Sequence, residues 1–484
     1  MIALNFQKIV LVHPLGYNPE AAGRDISRKA NMMPPLGLAS IAAFLEKRNI
    51  AVHIIDCYAH PDALSLMKDI LRQERPAFIG FSCTTSSFLD GACLARFAKK
   101  ELPSIQTIFG GSHVSALKEQ IMGSFPEVDI VIVGEGEETL YELITSQGEN
   151  HDQIQGLVYR DAAGPVFTGY RKKLLELDSL PFPAYEKLAG FPNIYKLPIF
   201  NYPKVPNSSC ISSRGCPYAC SYCDRSVFRR LFRFNSADYL YDHLRYMNNR
   251  FGIRHVNFYD DQFSFNRQRV VDLCHLIINN PLKMSFNCAA RADHIDLDLL
   301  RLMKEAGCWM ISLGIETGDE NLLSQHRQNV NLDMLADKIQ LIHKAGIRVK
   351  GLLMMGLPGE NEQSIQRSMD YVFSLPIDDF NLSKFTPFPG SPLYKEIDKL
   401  GSFEEDWARM DCMDFLFVPH GMTKKRLDEL FIHFYKTHYT RPKVLLGYAA
   451  MLWKSPDSWL RFARDLGSFI RFAKTNQRID TQEN

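Results

Sequence analysis

The sequence predicts an α/β fold: a doubly wound (Rossmann-like) domain, then a partial (β/α)6 barrel of the TIM type, then a helical extension. Three observations predict it. Apolar strand-like runs alternate with helix-like segments over residues 1–145, the same alternation resumes at about residue 208, and no strand pattern follows residue 391. A chain of 484 residues is long enough for about two or three domains with separate cores.

The first domain, residues 1–145, is predicted from five apolar runs that are each followed by a helix-like segment: KIVLVHP, AVHIIDC, AFIGFSC, QTIFGG and VDIVIVGEGE. Strands that are apolar on both faces are typical of a parallel sheet covered by helices on both sides. Such sheets bind ligands beyond the C-terminal ends of their strands. Here those ends read GFSCTTSS, GGSH and GEGE, which predicts either a ligand site or simple Gly- and Ser-rich turns.

Residues 146–207 are predicted to be a connector, because GLVYRDAAGPVFTG is typical of a short hairpin and prolines punctuate the rest. The barrel, residues 208–391, is predicted from six further strand–helix units, whose strands read SSCISSR, RHVNFYDD, MSFNCAAR, WMISLGIE, VKGLLMMGLP and FNLSKFTPF. The chemistry of such barrels lies at the C-terminal strand ends. Residues 392–484 are predicted to be a helical extension.

Composition and charge are those of an ordinary globular protein, with 46% hydrophobic and 23% charged residues. The formal net charge of +1 gives no reason to expect a nucleic-acid partner. No signal-peptide pattern opens the sequence, and its longest apolar runs, such as VLLGYAAMLW, are too short for a bilayer. Eleven cysteines without a secretion signal indicate a reducing compartment, so we expect a cytoplasmic protein.

Three cysteines lie within eight positions of the segment RGCPYACSYCD: Cys216, Cys220 and Cys223. A structural zinc site takes four ligands, usually in two separated pairs, and adding Cys210 would place all four within fourteen residues. A glycine and a proline keep the segment in a loop, which disfavours unligated core cysteines, and a disulfide is not expected in a reducing compartment. An iron–sulfur cluster remains, and three thiolates on a cubane leave one iron open for a substrate or cofactor.

The run CPYACSYC resembles the C-x3-C-x2-C motif of the radical S-adenosylmethionine enzymes, including the aromatic Tyr222 before its last cysteine. In that family the open iron of a [4Fe-4S] cluster is chelated by the methionyl amine and carboxylate of S-adenosylmethionine. Cleavage of this cofactor by an electron from the cluster gives a 5′-deoxyadenosyl radical. The resemblance therefore implies both cofactors and an external electron donor such as flavodoxin or ferredoxin.

The same resemblance implies cofactor contacts at later strand ends, although each charged residue taken alone could be an ordinary salt bridge. Asp260 or Asp261, in FYDDQF, matches the acidic residue near the methionyl amine, and Arg291 matches the arginine that pairs with the carboxylate. Glu316, in ISLGIETG, matches the residue that holds the ribose hydroxyls. The backbone around Met354 to Gly356, in LLMMGLPGE, matches the segment that meets the adenine.

The first domain resembles the cobalamin-binding domain of the class B radical S-adenosylmethionine methyltransferases, on the segments MPPLGLASIAAFL, IGFSCTT, GGSH and VIVGEGEETL. The resemblance implies that cobalamin and its nucleotide tail are lined by Ser82, Thr84, Gly110, Gly111, His113, Gly134, Glu135 and Gly136. One departure is notable. The lower cobalt ligand of such domains lies in Asp-x-His-x-x-Gly, and here His13 has leucine at the aspartate position, so we expect nothing to orient its imidazole and cobalamin to bind without it.

These resemblances predict a cobalamin-dependent radical S-adenosylmethionine enzyme that methylates an unactivated carbon of a small-molecule or lipid-like substrate. The alternative within the same scaffold is an anaerobic oxidative cyclase or rearrangement enzyme. A non-catalytic cobalamin or redox sensor is a third interpretation, which does not explain the residues expected to contact S-adenosylmethionine.

The chain after Pro456 predicts an amphipathic helix over about 457–474. Its apolar face comprises Trp459, Phe462, Ala463, Leu466, Phe469, Ile470 and Ala473, and its polar face Arg461, Arg464, Asp465, Ser468 and Arg471. A basic amphipathic helix can lie on a membrane surface. It can also dock on the barrel or on a partner subunit, so peripheral membrane contact is one of two expectations.

Overall fold

Two sheets with parallel strands follow one another along the chain in the computed structural model, which describes residues 4–16, 31–468 and 470. The α/β class and the order of the predicted domains are thereby confirmed. The first sheet contains β1 (Asn5–His13), β2 (Ala51–Asp56), β3 (Pro76–Ser82), β4 (Gln106–Gly110), β5 (Ile130–Ile132), β6 (Leu157–Asp161) and β7 (Gly164–Phe167). Its described helices are α1 (Leu36–Glu46), α2 (Ala63–Glu74), α3 (Phe88–Glu101), α4 (Ser112–Leu117), α5 (Glu119–Ser124) and α6 (Glu137–Thr145).

The strand order of this sheet is β2-β1-β3-β4-β5-β6-β7. The first five strands are parallel, and the order reverses beside β1, which is the place where doubly wound sheets bind ligands. Strand β1 shows why the sequence is apolar throughout: Ile9 and Leu11 pack on one face of the sheet, Val10 and Val12 on the other.

Two details of this domain differ from the prediction. The hairpin assigned to the connector extends the sheet, because β6 pairs antiparallel with β5 and β7 with β6. The single helix expected over VSALKEQIMGSF is divided into α4 and α5, since Lys118 has a φ of 49° and a right-handed helix cannot continue through that conformation.

The barrel sheet contains six parallel strands, as predicted: β8 (Asn207–Cys210), β11 (His255–Phe258), β12 (Ser285–Ala290), β13 (Cys308–Glu316), β14 (Arg348–Met355) and β15 (Asp379–Lys384). A short antiparallel pair, β9 (Ser213–Arg214) and β10 (Arg233–Phe234), closes the loop after β8. The helices are α7 (Ala237–Phe251), α8 (Arg267–Asn279), α9 (Leu297–Glu305), α10 (Glu320–His326), α11 (Leu332–Lys344) and α12 (Glu362–Ser374). Because β8 and β15 are the two edges of the sheet, the barrel is open between them.

The C-terminal extension is largely helical, with α13 (Lys424–Tyr439), α14 (Pro442–Lys454) and α15 (Pro456–Arg464). It also contains a pair of strands, β16 (Gly401–Phe403) and β17 (Phe417–Pro419), that the sequence analysis missed because three residues are too few for an alternating pattern. The 3-10 turns of the described chain are His151–Gln153, Leu177–Ser179, Tyr185–Lys187, Ala292–His294, Pro392–Lys399 and Trp407–Arg409.

The described part of the predicted amphipathic helix, α15, is docked on the connector just before the first barrel strand. The rings of Trp459 and Phe462 lie 5.3 and 6.4 Å from that of Phe200. Arg461, predicted on the polar face, is buried and donates hydrogen bonds of 2.8 Å to the Leu197 carbonyl and the Tyr202 hydroxyl. This packing agrees with the docking alternative; the predicted positions 469, 471 and 473 lie outside the described residues.

Helices α14 and α15 lie at the N-terminal edge of the barrel sheet. The Tyr448 hydroxyl donates a 3.0 Å hydrogen bond to Asp379, the first residue of β15, and Arg348, the first residue of β14, contacts Met451. This edge is opposite to the C-terminal strand ends. Within the described ranges, no helix is both long enough and apolar enough to cross a membrane.

Candidate active site

Cys216, Cys220 and Cys223 lie on the loop between β9 and β10, here called the cluster loop (residues 215–232), beyond the C-terminal end of β8. All three are half-buried and none forms a disulfide. Burial raises the pKa of Cys223 to about 12, and the charges of Asp261 and of the other two thiols add to this effect. The three thiols are therefore near enough to influence one another electrostatically.

Two cavities lie where the C-terminal strand ends of the two sheets meet. The interdomain cavity, of about 270 Å³, is bordered on one side by Ser82, Gly111, Gly134, Glu135 and Gly136 and on the other by Asp261. The cluster-side cavity, of about 360 Å³, is bordered by Thr84, Thr85 and Ser112 of the first domain and by Cys216, Cys223 and Asp261 of the barrel. The same edge of both sheets thus faces one composite space.

The donor set on the cluster loop fits an open cubane better than a closed zinc site. Across residues 4–16, 31–468 and 470, no three Cys, His, Asp or Glu side chains stand close enough to share one metal ion. A tetrahedral ion with metal–sulfur bonds of about 2.3 Å needs its sulfurs only about 3.8 Å apart, whereas the thiolates of a cubane bind different irons and stand further apart. Cys210, the possible fourth zinc ligand, is fully buried with its sulfur 3.7 Å from Nδ1 of His243.

The two aspartates after β11 have different surroundings. The carboxylate of Asp260 is buried and accepts hydrogen bonds from the backbone N–H groups of Ser212, at 2.6 Å, and Ser213, at 2.9 Å, and from the Ser212 hydroxyl. Asp261 instead borders both cavities. Asp260 therefore holds the chain that leads into the cluster loop, and Asp261 is the carboxylate that a ligand in the cavities can reach.

Arg291 follows β12 and joins it to the cluster loop. Its Nε and Nη2 donate hydrogen bonds of 2.9 and 3.2 Å to the Asp293 carboxylate, and Nη2 also bonds the Gln328 carbonyl. Its guanidinium carbon lies 3.7 Å from the ring centroid of Tyr218, whose hydroxyl is 2.6 Å from Nε2 of His294. Among the described residues, none forms a hydrogen bond with Nη1 of Arg291, although the side chain itself is buried.

Glu316 ends β13 at a bulge in the pairing with β14 and has a φ of 66°, an uncommon conformation for a residue other than glycine. Burial raises its pKa, and this effect is opposed by the charge of Arg327 and by a hydrogen bond with Tyr222. Nη1 of Arg327 lies 3.4 Å from the Glu316 carboxylate. Sequence analysis missed Arg327, and it could not have linked Tyr222 with Glu316.

The segment after β14 is fixed by a carboxylate that sequence analysis also missed. Gly356 has a φ of 92°, and its backbone N–H donates a hydrogen bond to the buried Glu360 side chain. Burial raises the pKa of Glu360 to about 8. Met354 packs beside Tyr222 in a small apolar cluster. The sequence signal that could have identified Glu360 is its position as an acidic residue after the turn in GLPGE.

Most of the residues predicted to line cobalamin border the composite space. Gly110 borders a small groove that adjoins the interdomain cavity. At Gly111, a Cβ atom would approach the Cys83 carbonyl oxygen to 2.3 Å, and its φ is 107°, so glycine is required for this strand end to exist.

His113 borders neither cavity. Its buried ring lies 4.5 Å from that of Trp407 and 4.7 Å from that of Phe88, and burial lowers its pKa to about 4. Trp407 belongs to the C-terminal extension. His113 is therefore part of the contact between the first domain and the extension, together with Phe88 and Phe125, and does not face the space where cobalamin is predicted to bind.

A half-buried ion-pair network, here called the Arg214 network, crosses between the domains. Arg214, directly before the cluster loop, pairs with Glu135 at 2.5 Å and with Glu137 at 2.6 Å. Glu135 also pairs with Arg233, at the other end of that loop. Burial opposes the ionisation of Glu137, yet the charge of Arg214 holds its pKa below the usual range. The GEGE segment therefore contacts the barrel through its carboxylates.

His13 is oriented, contrary to the expectation from its sequence motif. Its Nδ1 lies 3.0 Å from the Asp56 carboxylate at the end of the neighbouring strand β2, and its ring stacks on Tyr58. The Tyr195 hydroxyl donates a 2.9 Å hydrogen bond to the same carboxylate. A local motif could not show this, because the aspartate lies 43 residues away in the sequence.

Comparisons with known proteins agree with this architecture. Residues 27–144 match the B12 binding domain and residues 210–372 match the Radical SAM superfamily. The chain is 28% identical over 419 residues to an uncharacterized methyltransferase of Pyrococcus horikoshii, covering 85% of this chain and 89% of that protein. It is 25% identical to the anaerobic magnesium-protoporphyrin IX monomethyl ester cyclase of Cereibacter sphaeroides, covering 91% and 71%.

Among solved structures, the radical S-adenosylmethionine methyltransferase TsrM of Kitasatospora setae, with cobalamin and a [4Fe-4S] cluster bound, superimposes with a TM-score of 0.66 at 17% identity. The match covers 81% of this chain and 75% of that protein and shows a shared fold. The two cofactor domains in this order define a cobalamin-binding radical enzyme. The chain belongs to the cobalamin-binding radical S-adenosylmethionine enzyme family.

Proposed function

We propose that the protein is a cobalamin-dependent radical S-adenosylmethionine C-methyltransferase that acts on an unactivated carbon. One observation carries the proposal: a loop with three free thiols, two of which border the cluster-side cavity, faces the strand ends of a B12 binding domain across that cavity. When bound, the cluster with S-adenosylmethionine supplies a radical that removes a substrate hydrogen, and cobalamin supplies the methyl group. An oxidative cyclisation on the same scaffold is the second candidate, supported by the cyclase relative.

In this proposal the methionyl end of S-adenosylmethionine lies between Asp261 and Arg291. Asp261 can accept hydrogen bonds from the methionyl amine because its carboxylate borders the cavity, unlike that of Asp260. The free edge of Arg291 can bind the methionyl carboxylate, while Asp293 keeps the guanidinium plane in place.

The ribose and adenine have separate proposed contacts. Glu316 accepts hydrogen bonds from the ribose hydroxyls, and the charge of Arg327 opposes the rise in its pKa that burial causes. Glu360 fixes the backbone at Gly356, so that neighbouring carbonyl and N–H groups can meet the adenine edge. Tyr222 hydrogen bonds with Glu316 and so connects the ribose contact to the cluster loop.

Cobalamin is proposed to bind at the interdomain cavity and the groove beside it, which are large enough to hold only part of it. The lining is supplied by Ser82, Gly110, Gly111, Gly134, Glu135 and Gly136, with Thr84 on the cluster side. Glycine-rich strand ends let the backbone approach a large planar ligand closely. His13 is paired with Asp56 at the edge of this region, and we propose that it is not the lower cobalt ligand.

The test uses anaerobically reconstituted protein with a low-potential reductant. Cys216→Ala, Cys220→Ala and Cys223→Ala are each expected to lose 5′-deoxyadenosine formation and most of the roughly four bound irons. Cys210→Ala, in the strand before the loop, is the matched control and should keep both. Equal loss in the control with zinc in place of iron would contradict the proposal. S-adenosylhomocysteine formed beside 5′-deoxyadenosine distinguishes methylation from cyclisation.

We also propose peripheral membrane contact, through a different face from that expected from the sequence. The apolar anchor, defined as Leu445, Leu446, Leu452, Trp453 and Leu460, has side chains that are 54, 70, 49, 81 and 70% exposed. Exposed Lys443 and Lys454 accompany it, a combination that suits anionic lipid head groups over an acyl boundary. The anchor lies at the edge of the barrel opposite to the cluster loop, so it would hold the enzyme at a membrane without turning its cavities toward the lipid.

A further inference from the structure

The cluster loop continues beyond its last cysteine into a strongly basic segment, SVFRRLFRF. Arg225 follows Cys223 by two residues. Arg225 and Arg229 both border the cluster-side cavity, and Arg230 is exposed. The positive charges on this segment therefore begin directly beside the thiols and run outward to the protein surface.

The first domain and the connector add cations at the same place. The ring of Tyr170 lies between two of them: the guanidinium carbon of Arg229 is 4.6 Å and the Lys118 ammonium 4.7 Å from its centroid, both within the range of cation–π contacts. Lys172 and Lys173, two and three residues further along, are exposed. Two domains thus contribute to one surface beside the cluster loop.

We call this surface the cationic rim and define it as Lys118, Lys172, Lys173, Arg225, Arg229 and Arg230. Among the described residues, none of the six lies within 4.0 Å of a carboxylate as an ion pair, whereas Arg214 and Arg233 at the two ends of the same loop are both paired. The nearby carboxylate of Asp224 bonds Ser226 instead. Because the whole chain has a net charge of only +1, this concentration of positive charge is local.

We propose that the cationic rim is the docking surface for an acidic one-electron carrier protein, which reduces the cluster held by the adjacent thiols. This inference rests on the proposed function. In each encounter the carrier loses one electron and the cluster gains one, and no other group in the chain is required as an oxidant or reductant. An acidic protein is the partner that unpaired lysine and arginine side chains select, since opposite charges raise the encounter rate and orient the complex.

The placement also explains why the rim includes residues of the first domain. A carrier that contacts Arg230 together with Lys172 and Lys173 approaches the cluster loop from outside, where it leaves both cavities accessible to cofactors and substrate. Arg233 donates a hydrogen bond of 2.6 Å to the Leu175 carbonyl, which ties the loop containing these lysines to the cluster loop. The two halves of the rim are therefore held in a fixed relation.

The experiment compares two variants of the full-length reconstituted protein with equal change in net charge. The rim variant is Lys172→Glu with Lys173→Glu and Arg230→Glu, all at exposed positions outside both cavities. The control is Lys100→Glu with Lys424→Glu and Lys425→Glu, at exposed positions elsewhere on the surface. The probe is a reduced acidic flavodoxin, and stopped-flow absorbance follows oxidation of its hydroquinone as the cluster is reduced.

We expect the second-order rate constant of the rim variant to fall at least about tenfold at low ionic strength, while the control stays within about twofold of wild type. The difference should shrink as salt is raised from about 0.01 to 0.1 M, because the Debye length falls from about 30 to 10 Å. Equal slowing of both variants, or a rate independent of salt, overturns the proposal. The proposal is also overturned if flavodoxin reduces the cluster of the rim variant at the wild-type rate while the variant loses affinity for an oligonucleotide.

Dithionite separates failure of this inference from failure of the proposed function. This small reductant needs no docking surface, so the rim variant should form 5′-deoxyadenosine with dithionite as fast as wild type does. If wild type itself forms none with dithionite, the proposed function fails. If the rim variant is reduced as fast as wild type by dithionite and also as fast as wild type by flavodoxin, only the docking inference fails.

Discussion

The Arg214 network offers the most direct test of how the two domains are held together. Replacing Arg214 with methionine keeps most of the side-chain volume and removes the charge. Among the described residues, Glu137, 4% exposed, then keeps the Ser40 hydroxyl, at 3.2 Å, as its one side-chain partner, whereas Glu135 keeps Arg233. The variant therefore leaves one buried carboxylate without a cation.

The expected cost is about 3–5 kcal/mol, the range for removing one partner of a buried ion pair. With a urea dependence of about 3 kcal/mol per M, this corresponds to a shift of at least about 1 M in the unfolding midpoint. The assay is equilibrium unfolding followed by tryptophan fluorescence, since Trp407 packs against His113 and reports the docking of the first domain. Arg171→Met is the control, because Arg171 pairs with Glu138 and Glu142, which are more exposed than Glu137, and these pairs do not reach the barrel. This substitution should cost no more than about 1 kcal/mol.

The difference in stability between wild type and Arg214→Met should depend on pH because of the pKa of Glu137. In the wild type that pKa is held below the usual range, so the ion pair contributes stability above the unfolded pKa of about 4.3 and loses it as the pH falls below. Without Arg214, the effect of burial, which raises the pKa of Glu137, is opposed only by hydrogen bonds such as that from Ser40 among the described residues. The two proteins should therefore converge in stability toward about pH 4. A shift of less than about 0.2 M urea at pH 7, or one that does not diminish at low pH, would refute the reasoning.

Two further predictions concern Glu360 and the apolar anchor. Burial raises the pKa of Glu360 to about 8, so the folded protein holds a proton that the unfolded chain releases. The thermal stability of the wild type should therefore fall, relative to that of Glu360→Gln, as the pH rises from about 4.5 to 8. Parallel stability curves for the two proteins would contradict this. The protein should co-sediment with anionic liposomes and lose binding in Leu446→Glu with Trp453→Glu, whereas Phe462→Glu, whose ring packs toward Phe200, should impair folding first; full binding by the double variant would exclude the anchor.

The fold was largely predictable from the sequence because its strands are buried on both faces. A helical segment such as RQRVVDLCHLIINN repeats its apolar residues every three to four positions, whereas a strand of a parallel sheet, such as KIVLV, is apolar throughout. The cluster loop was predictable for a different reason, since its three cysteines lie within eight positions. Local chemistry at a short spacing needs no knowledge of the rest of the chain.

Contacts between distant segments could not be predicted in the same way. The Asp56 carboxylate reaches His13 from the next strand, and Arg327 reaches Glu316 from beyond α10. In the GEGE segment, glycines suggested a ligand loop, but nothing local shows that Glu135 pairs with Arg214, which lies 79 residues later. The amphipathic pattern of α15 predicted a helix, yet a helical period alone does not say which face is buried, and Arg461 proved to be inside.

Two contacts between the first domain and the rest of the protein bear on how the composite space is kept open. One contact is ionic, from Arg214 to Glu135 and Glu137, and the other is aromatic, from Trp407 to His113. Both consist of protein atoms alone, so they hold the strand ends apart before any ligand binds. Without these two contacts, glycine-lined strand ends could approach one another and close the space, since they carry no side chains to keep it open. A preformed space lowers the ordering cost of binding a large ligand, and the Arg214 network is therefore expected to matter for cofactor affinity as well as for stability.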